Sequence, residues 1–155
     1  MLVKDKTLTY LFWDIGVTSN KNANWTIPAG ITVIPSLNGT FIKASSDYRY
    51  YMSNQALTGD FEVTCDVKSN GTCRVGFFDG IRNYDLWSFD TNNEWNYLKI
   101  KCVNDSLTAQ KSVNGITWVN LNVVSINITS STRYFDYSVY TSSTLIYKNL
   151  MIYEI

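Results

Sequence analysis

Glu62 and Asp66, in the stretch DFEVTCDVKS, are the nearest acidic pair whose parity places both side chains on one face of a strand. Two carboxylates flanking a glycosidic bond can cleave it when they stand about 5–9.5 Å apart. Four residues of extended chain put these two roughly 13 Å apart, too far to share a bond. Asp66 is instead expected beside Arg74 across a hairpin, as an ordinary ion pair. The chain contains no His, which removes Ser-His-Asp and Cys-His catalysis and the usual zinc sites. Cys65, Cys73 and Cys102 form no CxxC motif and are odd in number, which argues against a closed disulfide framework. No glycine-rich phosphate loop is visible. The expectation is a protein that is not an enzyme.

Binding is better supplied. The chain has five Trp, eleven Tyr and seven Phe in 155 residues. A buried Tyr hydroxyl needs a partner, so some of the eleven Tyr are expected at the surface. The densest group is DYRYYMSN, with Tyr48, Tyr50 and Tyr51. A second concentration, FDGIRNYDLWSFDTNNEW, sets Asp79, Arg82, Asn83, Asp85, Asp90, Asn92 and Asn93 around Tyr84, Trp87 and Trp95. Flat aromatics beside Asp, Asn and Arg, with little net charge, suit the apolar faces and hydroxyls of a sugar. Asp- and Asn-rich loops are also what a calcium site would use, although no EF-hand spacing occurs. Such loops are most often plain turns, because Asp and Asn bond their own backbone. The candidate ligand-binding set is Tyr48, Tyr50, Asp79, Arg82, Asn83, Tyr84, Trp87, Asn92 and Asn93. No cofactor is expected, with calcium as the one option.

These residues must be held by strands. Ala (five) and Glu (three) are scarce while β-branched and aromatic residues abound, which favours sheet over helix. Short alternating runs separated by turn residues recur along the chain: residues 7–14, 31–45 with a turn at Asn38-Gly39, DFEVTCDVKS, TCRVGFFDG, NYDLWSFDT, NYLKIKCV, LTAQKSV, TWVNLNVV, RYFDYSVYT and TLIYKNLMIYEI. In NYLKIKCV the inward set is Leu98, Ile100 and Cys102. A three-residue loop, Ser69-Asn70-Gly71, would pair Val67 with Cys73 and Cys65 with Val75, with Gly71 left-handed. If the next loop closes as Phe78 opposite Tyr84, Trp87 falls opposite Val75 and is buried. One residue more or less turns it outward.

Trp95-Asn96 opening a strand, Leu98 and Ile100 alternating behind it, a tight turn, and a strand ending in Asn114-Gly115 resemble the laminin-G-like members of the concanavalin A-like lectin/glucanase superfamily. The DFEV strand (Asp60 to Val63) and the KNLMIY strand (Lys148 to Tyr153) extend the likeness over residues 58 to 155. The resemblance implies an all-β, antiparallel two-sheet sandwich, a jelly roll, and residues 1–155 are expected to form one domain. The start MLVKDKTLTYLFWDIG lacks the long apolar run of a signal peptide, which leaves two expectations: a protein not secreted by that route, or a domain cut from a longer chain. Family members commonly bind glycans or proteins, and some hydrolyse glycans through an E-x-D-x-x-E type motif, which is absent here. The Asn-, Ser-, Thr- and Tyr-rich character is also similar to viral tail-fibre and adhesin modules.

Thirteen basic and thirteen acidic residues cancel. That leaves no footprint for nucleic acid, and no apolar run approaches the length of a membrane span. Five N-x-S/T sequons, at Asn24, Asn38, Asn70, Asn104 and Asn127, are close to the roughly three that chance gives. The expected partner is a cell-surface glycan, met at a cell surface or virion, with a homotrimer as one form of the parent assembly. A structural or oligomerisation domain of a fibre, without glycan binding, is the alternative.

Overall fold

The computed structural model describes residues 9–14, 21–46, 49–121 and 132–155, with backbone alone for 22, 23, 49 and 50. Tyr48 and the Asn127 sequon lie outside the described residues. In chain order the described elements are β1 (Tyr10–Asp14), a single helical turn α1 (Lys21–Asn24), β2 (Trp25–Thr26), β3 (Ile31–Ser36), β4 (Gly39–Ala44), β5 (Arg49–Ser53), β6 (Phe61–Asn70), β7 (Cys73–Phe78), β8 (Asn83–Phe89), β9 (Asn96–Val103), β10 (Ser106–Ser112), β11 (Val119–Asn120), β12 (Tyr134–Val139) and β13 (Thr144–Glu154). They form two antiparallel sheets. The eight-stranded sheet runs β11-β10-β9-β6-β13-β4-β3, with β1 also on β13, and the five-stranded sheet runs β2-β5-β12-β7-β8.

One long strand organises the larger sheet. The first half of β13, Thr144 to Tyr147, pairs with β4, and its second half, Leu150 to Tyr153, pairs with β1. The break falls at an irregularity between Lys148 and Met151, where Asn149 takes a left-handed φ of 54°. A bulge bends its strand locally, so one edge of β13 serves two partners. The Asn104-Asp105 turn between β9 and β10 has positive φ at both residues, the mirror-image turn whose twist matches a hairpin. Its register sets Leu107 against Cys102 and Ala109 against Ile100.

The alternating residues meet between the sheets. Leu98, Ile100 and Cys102 are buried as their parity requires, in one hydrophobic cluster with Phe77, Phe135 and Tyr137 of the other sheet. Six of the nine Tyr with described side chains are half-buried, in line with the surplus of Tyr, while Tyr51, Tyr137 and Tyr147 are fully buried. Trp25, 1% exposed, stacks on Tyr51 with ring centroids 4.1 Å apart. Beside this stack lies a buried charge. Asp14 accepts from Lys21 Nζ at 2.8 Å, Trp25 Nε1 at 2.7 Å and the Tyr147 hydroxyl at 2.7 Å. The Tyr51 and Tyr147 hydroxyls are 3.1 Å apart. One carboxylate thus draws the Trp25 indole and the Tyr51 and Tyr147 hydroxyls into a single network, which offsets the cost of burying those three rings; the buried Tyr137 hydroxyl has no hydrogen-bond partner among the described residues.

The expected Cys65–Val75 hairpin does not form. β6 pairs with β13 and β9, whereas β7 pairs with β12 and β8 in the other sheet. Gly71 does adopt the left-handed region (φ 84°), but it turns the chain from one sheet to the other. Parity sends both apolar sets into the core whether two strands lie side by side or face to face, so alternation could not separate these cases. The expected Asp66–Arg74 pair is lost with the hairpin. Asp66 accepts from Asn149 Nδ2 at 2.7 Å, and Arg74 pairs with Asp85. All three cysteines are buried and free.

Candidate functional site

Among the described residues, the expected loop residues fall at the two ends of β8. Asp79 closes its own loop, accepting from the amides of Ile81 and Arg82, each at 2.8 Å, and from the Tyr84 hydroxyl at 2.9 Å. The backbone hydrogen bond from Arg82, with the other bonds adding to it, holds its carboxyl below the usual range. Arg82 is exposed and Asn83 half-buried at the start of β8. Asn92 and Asn93 sit past the far end of β8 with φ of 50° and 65°, in a turn fixed by Asp90 and by the Ser69 carbonyl. A seven-residue strand puts the two groups about 20 Å apart. Both behave as turns.

Trp87 faces the core side. The loop closes with Phe78 opposite Asn83, one residue shorter than the burial reading needs, and a bulge at Leu86 restores the parity so that Trp87 lies opposite Val75. Its ring stacks on Phe89 at 4.4 Å. Lys111 Nζ, from the larger sheet, is 5.4 Å from the ring centroid. Trp95 packs on the outer face of the larger sheet, half-buried beneath Lys68 and Lys148.

A different set converges on the outer face of the five-stranded sheet. β12 is its central strand. Phe135, Tyr137 and Val139 enter the core, so Asp136 and Ser138 point the opposite way. Asp136 is registered with Met52 on one side and Gly76 on the other, and Gly76 with Asp85. Ser138 is registered with Tyr50 and Arg74, and Arg74 with Ser88. Two cross-strand rows therefore share one face: Met52-Asp136-Gly76-Asp85 and Ser138-Arg74-Ser88. Arg74 Nη1 donates to Asp85 Oδ2 at 2.6 Å, both side chains about a third exposed or less. Gly76 makes the geometry possible. A Cβ there would stand 2.0 Å from the Tyr84 carbonyl oxygen, because the bulge at Leu86 lays the backbone of β8 over it.

The floor of this face is unsatisfied. Asp136 is 1% exposed, and neither carboxyl oxygen has a hydrogen-bond partner among the described residues; nor does the Ser138 hydroxyl. Burial, reinforced by the nearby Asp85 charge, pushes the Asp136 carboxyl well above the usual carboxylate range. An unpartnered buried polar group costs stability, and such groups in native proteins mark places where something other than folding sets the residue. Sequence reading missed Asp136 and Ser138. The available signal was an acid between two core aromatics in Tyr134-Phe135-Asp136-Tyr137. Its meaning depends on β12 being a central strand, which is a long-range fact.

Among the described residues no group of three or more His, Cys, Asp or Glu could hold a metal ion, and no helix is long and apolar enough to cross a membrane. No protein-family model matches the chain, and no curated protein matches it. Solved structures do. A carbohydrate binding module, CBM66, from Bacillus subtilis superposes with a TM-score of 0.63 at 14% identity, over 84% of this chain and 96% of that one. The fold is a concanavalin A-like jelly roll. A legume lectin-like domain from Entamoeba histolytica matches over the full length of both chains, with a TM-score of 0.61 and 12% identity. The exoplasmic/lumenal domain of VIP36, in its Ca2+/Man2-bound form, has a TM-score of 0.61 at 11% identity, over 92% of this chain and 86% of that one.

Proposed function

We propose that this jelly roll is a non-catalytic glycan-recognition module whose site is the outer face of the five-stranded sheet. The observation that carries the reading is the pair of buried, unpartnered groups at its floor, the Asp136 carboxyl and the Ser138 hydroxyl. They provide donors and acceptors that the described residues leave unused. Hydroxyls of a neutral sugar would satisfy both, while the Arg74–Asp85 pair offers further donors and acceptors at the rim. Met52, registered beside Asp136 on the same face and half-buried, is unbranched and can swing aside to admit the ligand. Two superposing structures carry names that describe carbohydrate binding or a mannose-bound form, which supports the same class of ligand. Asp85 and Asp136 stand two strand spacings apart, about 9.6 Å between Cα atoms. That is near the upper limit for an inverting carboxylate pair, and the Arg74 bond occupies Asp85, so binding rather than cleavage is the reading.

Each hydrogen bond contributes about 0.5–1.5 kcal/mol net, so affinity per site is expected near millimolar, or about −4 kcal/mol. Attachment would then depend on several copies acting together, as on a viral fibre or surface adhesin outside the cell. The fibre or adhesin setting rests on the Asn-, Ser-, Thr- and Tyr-rich composition. A glycan array probed with the domain clustered on beads tests the reading. Binding to neutral glycans that is lost in Asp136→Ala and retained in Trp87→Phe is expected. No binding to any glycan, or binding untouched by Asp136→Ala in a folded variant, would refute it.

A further inference from the structure

The opposite outer face, on the eight-stranded sheet, holds a groove of about 310 Å³ lined by Lys99, Lys101, Thr108, Gln110 and Asn120. That volume is at the lower end for small-molecule sites. The register brings these side chains together: Lys99 is opposite Gln110, Lys101 opposite Thr108, and Gln110 opposite Asn120. Their neighbours Leu98, Ile100, Leu107 and Ala109 are buried in the core, so all five turn away from it.

The two lysines differ. Lys101 Nζ is 3.2 Å from Glu62 and so already has its counter-charge. Lys99 Nζ lies 4.3 Å from the ring centroid of Trp118 and has no carboxylate within ion-pair distance among the described residues. A half-buried Trp face holds an ammonium in place without neutralising it. Beside it, Gln110 Nε2 donates to Asn120 Oδ1 at 2.8 Å. That bond fixes the two amides with Gln110 Oε1 and Asn120 Nδ2 turned to other use. A fixed cation next to a paired amide acceptor and donor matches one acid group and the neighbouring hydroxyls of the same sugar ring.

We propose that this groove is a second site, for an acidic sugar: a pyranose bearing a carboxylate or a sulfate. Lys99 takes the acid group, Gln110 and Asn120 take ring hydroxyls, and Trp118 is the positioning residue for Lys99. Of the two lysines in the groove, only Lys99 lacks a carboxylate partner among the described residues, which suits one acid group on a small ligand rather than a polyanion. The site is independent of the five-stranded face.

The test is calorimetric titration of the whole chain with trigalacturonic acid, a sulfated galactose trisaccharide and neutral galactotriose. Binding of at least one acidic trisaccharide is expected, tighter than any binding of the neutral one at the five-stranded face, and weakening as salt screens the ion pair. Whichever acid binds more tightly identifies the source of the anion. Lys99→Gln should weaken that binding at least tenfold, Trp118→Leu several-fold and Asp136→Asn not at all, each in a variant that keeps the wild-type circular dichroism spectrum. Trp118→Leu should also steepen the salt dependence, because a loosened ammonium relies on charge alone. The proposal is overturned if neither acidic trisaccharide binds, if galactotriose binds as tightly, or if folded Lys99→Gln binds like the wild type.

Discussion

Replacing Asp14 with Ala should remove about 4 kcal/mol of folding stability. The Asp14 side chain is fully buried and Lys21 is 5% exposed, so the pair is out of water. Removing one partner of such a pair leaves an uncompensated buried charge, worth about 3–5 kcal/mol. The Trp25 indole and Tyr147 hydroxyl lose their acceptor at the same time, each at about 1–3 kcal/mol when nothing replaces it. These costs overlap, because a cavity the size of a carboxylate can admit water. About 4 kcal/mol is then a large share of the roughly 5–15 kcal/mol available to a domain. The double variant Asp14→Leu/Lys21→Met should cost less than Asp14→Ala alone, since it removes both charges. Urea unfolding followed by Trp fluorescence measures both, with the slope of the transition unchanged. A loss below 1 kcal/mol for Asp14→Ala would show that Lys21 escapes to solvent and that the network does not hold the core. So would a double variant that costs more than the single.

Other outcomes follow from the same contacts. At Asp14 burial alone would raise the carboxyl, but the hydrogen bonds from Lys21, Tyr147 and Trp25 outweigh it and leave it below 3.8. Its contribution to stability is therefore present above pH about 4 and lost as pH falls through the folded value. Asp136 has the opposite sign. Its folded value is raised, so stability falls as pH rises from about 3.9 through that value, and Asp136→Asn should be more stable than wild type near neutral pH while binding glycan less well. Gly76→Ala should cost at least 2 kcal/mol by thermal melting, because the new Cβ meets backbone at 2.0 Å and must undo the bulge. Burial pushes the thiols of Cys65 and Cys73 up to about 12, so a thiol reagent should label native protein slowly. Three thiols should react in denaturant without reductant, and fewer would reveal a disulfide.

How much of this was legible in the sequence depends on the range of the information. The Leu98-Ile100-Cys102 face, the Asn104-Asp105 and Asn114-Gly115 turns, and the two-sheet sandwich could be read from alternation and turn chemistry, which are local, whereas the turn expected at Asn38-Gly39 falls one residue earlier, at Leu37-Asn38, with Gly39 paired to Ser36. The partner of β6 could not, because the same parity serves a hairpin and a face-to-face pair. Trp87 shows the limit well. Its burial needed a loop length and a bulge together, and neither shows in NYDLWSFD. The aromatic residues show the same limit. Aromatic density suggested Tyr and Trp at the surface, yet Asp14 supplies partners that let Tyr51, Tyr147 and Trp25 go inside. What remained for the outer face was an acid and a hydroxyl, Asp136 and Ser138, visible only once β12 is known to be central.

The central claim is that the outer face of the five-stranded sheet binds glycan through that floor. Amide chemical-shift mapping of labelled protein, titrated with the best neutral glycan from the array, tests it most directly. The account predicts that the largest shifts fall on Arg74, Gly76, Asp85, Asp136 and Ser138, with the Asn92–Asn93 turn silent. Shifts centred on Asp79 to Tyr84, on the Lys99 groove, or on no contiguous surface would contradict it.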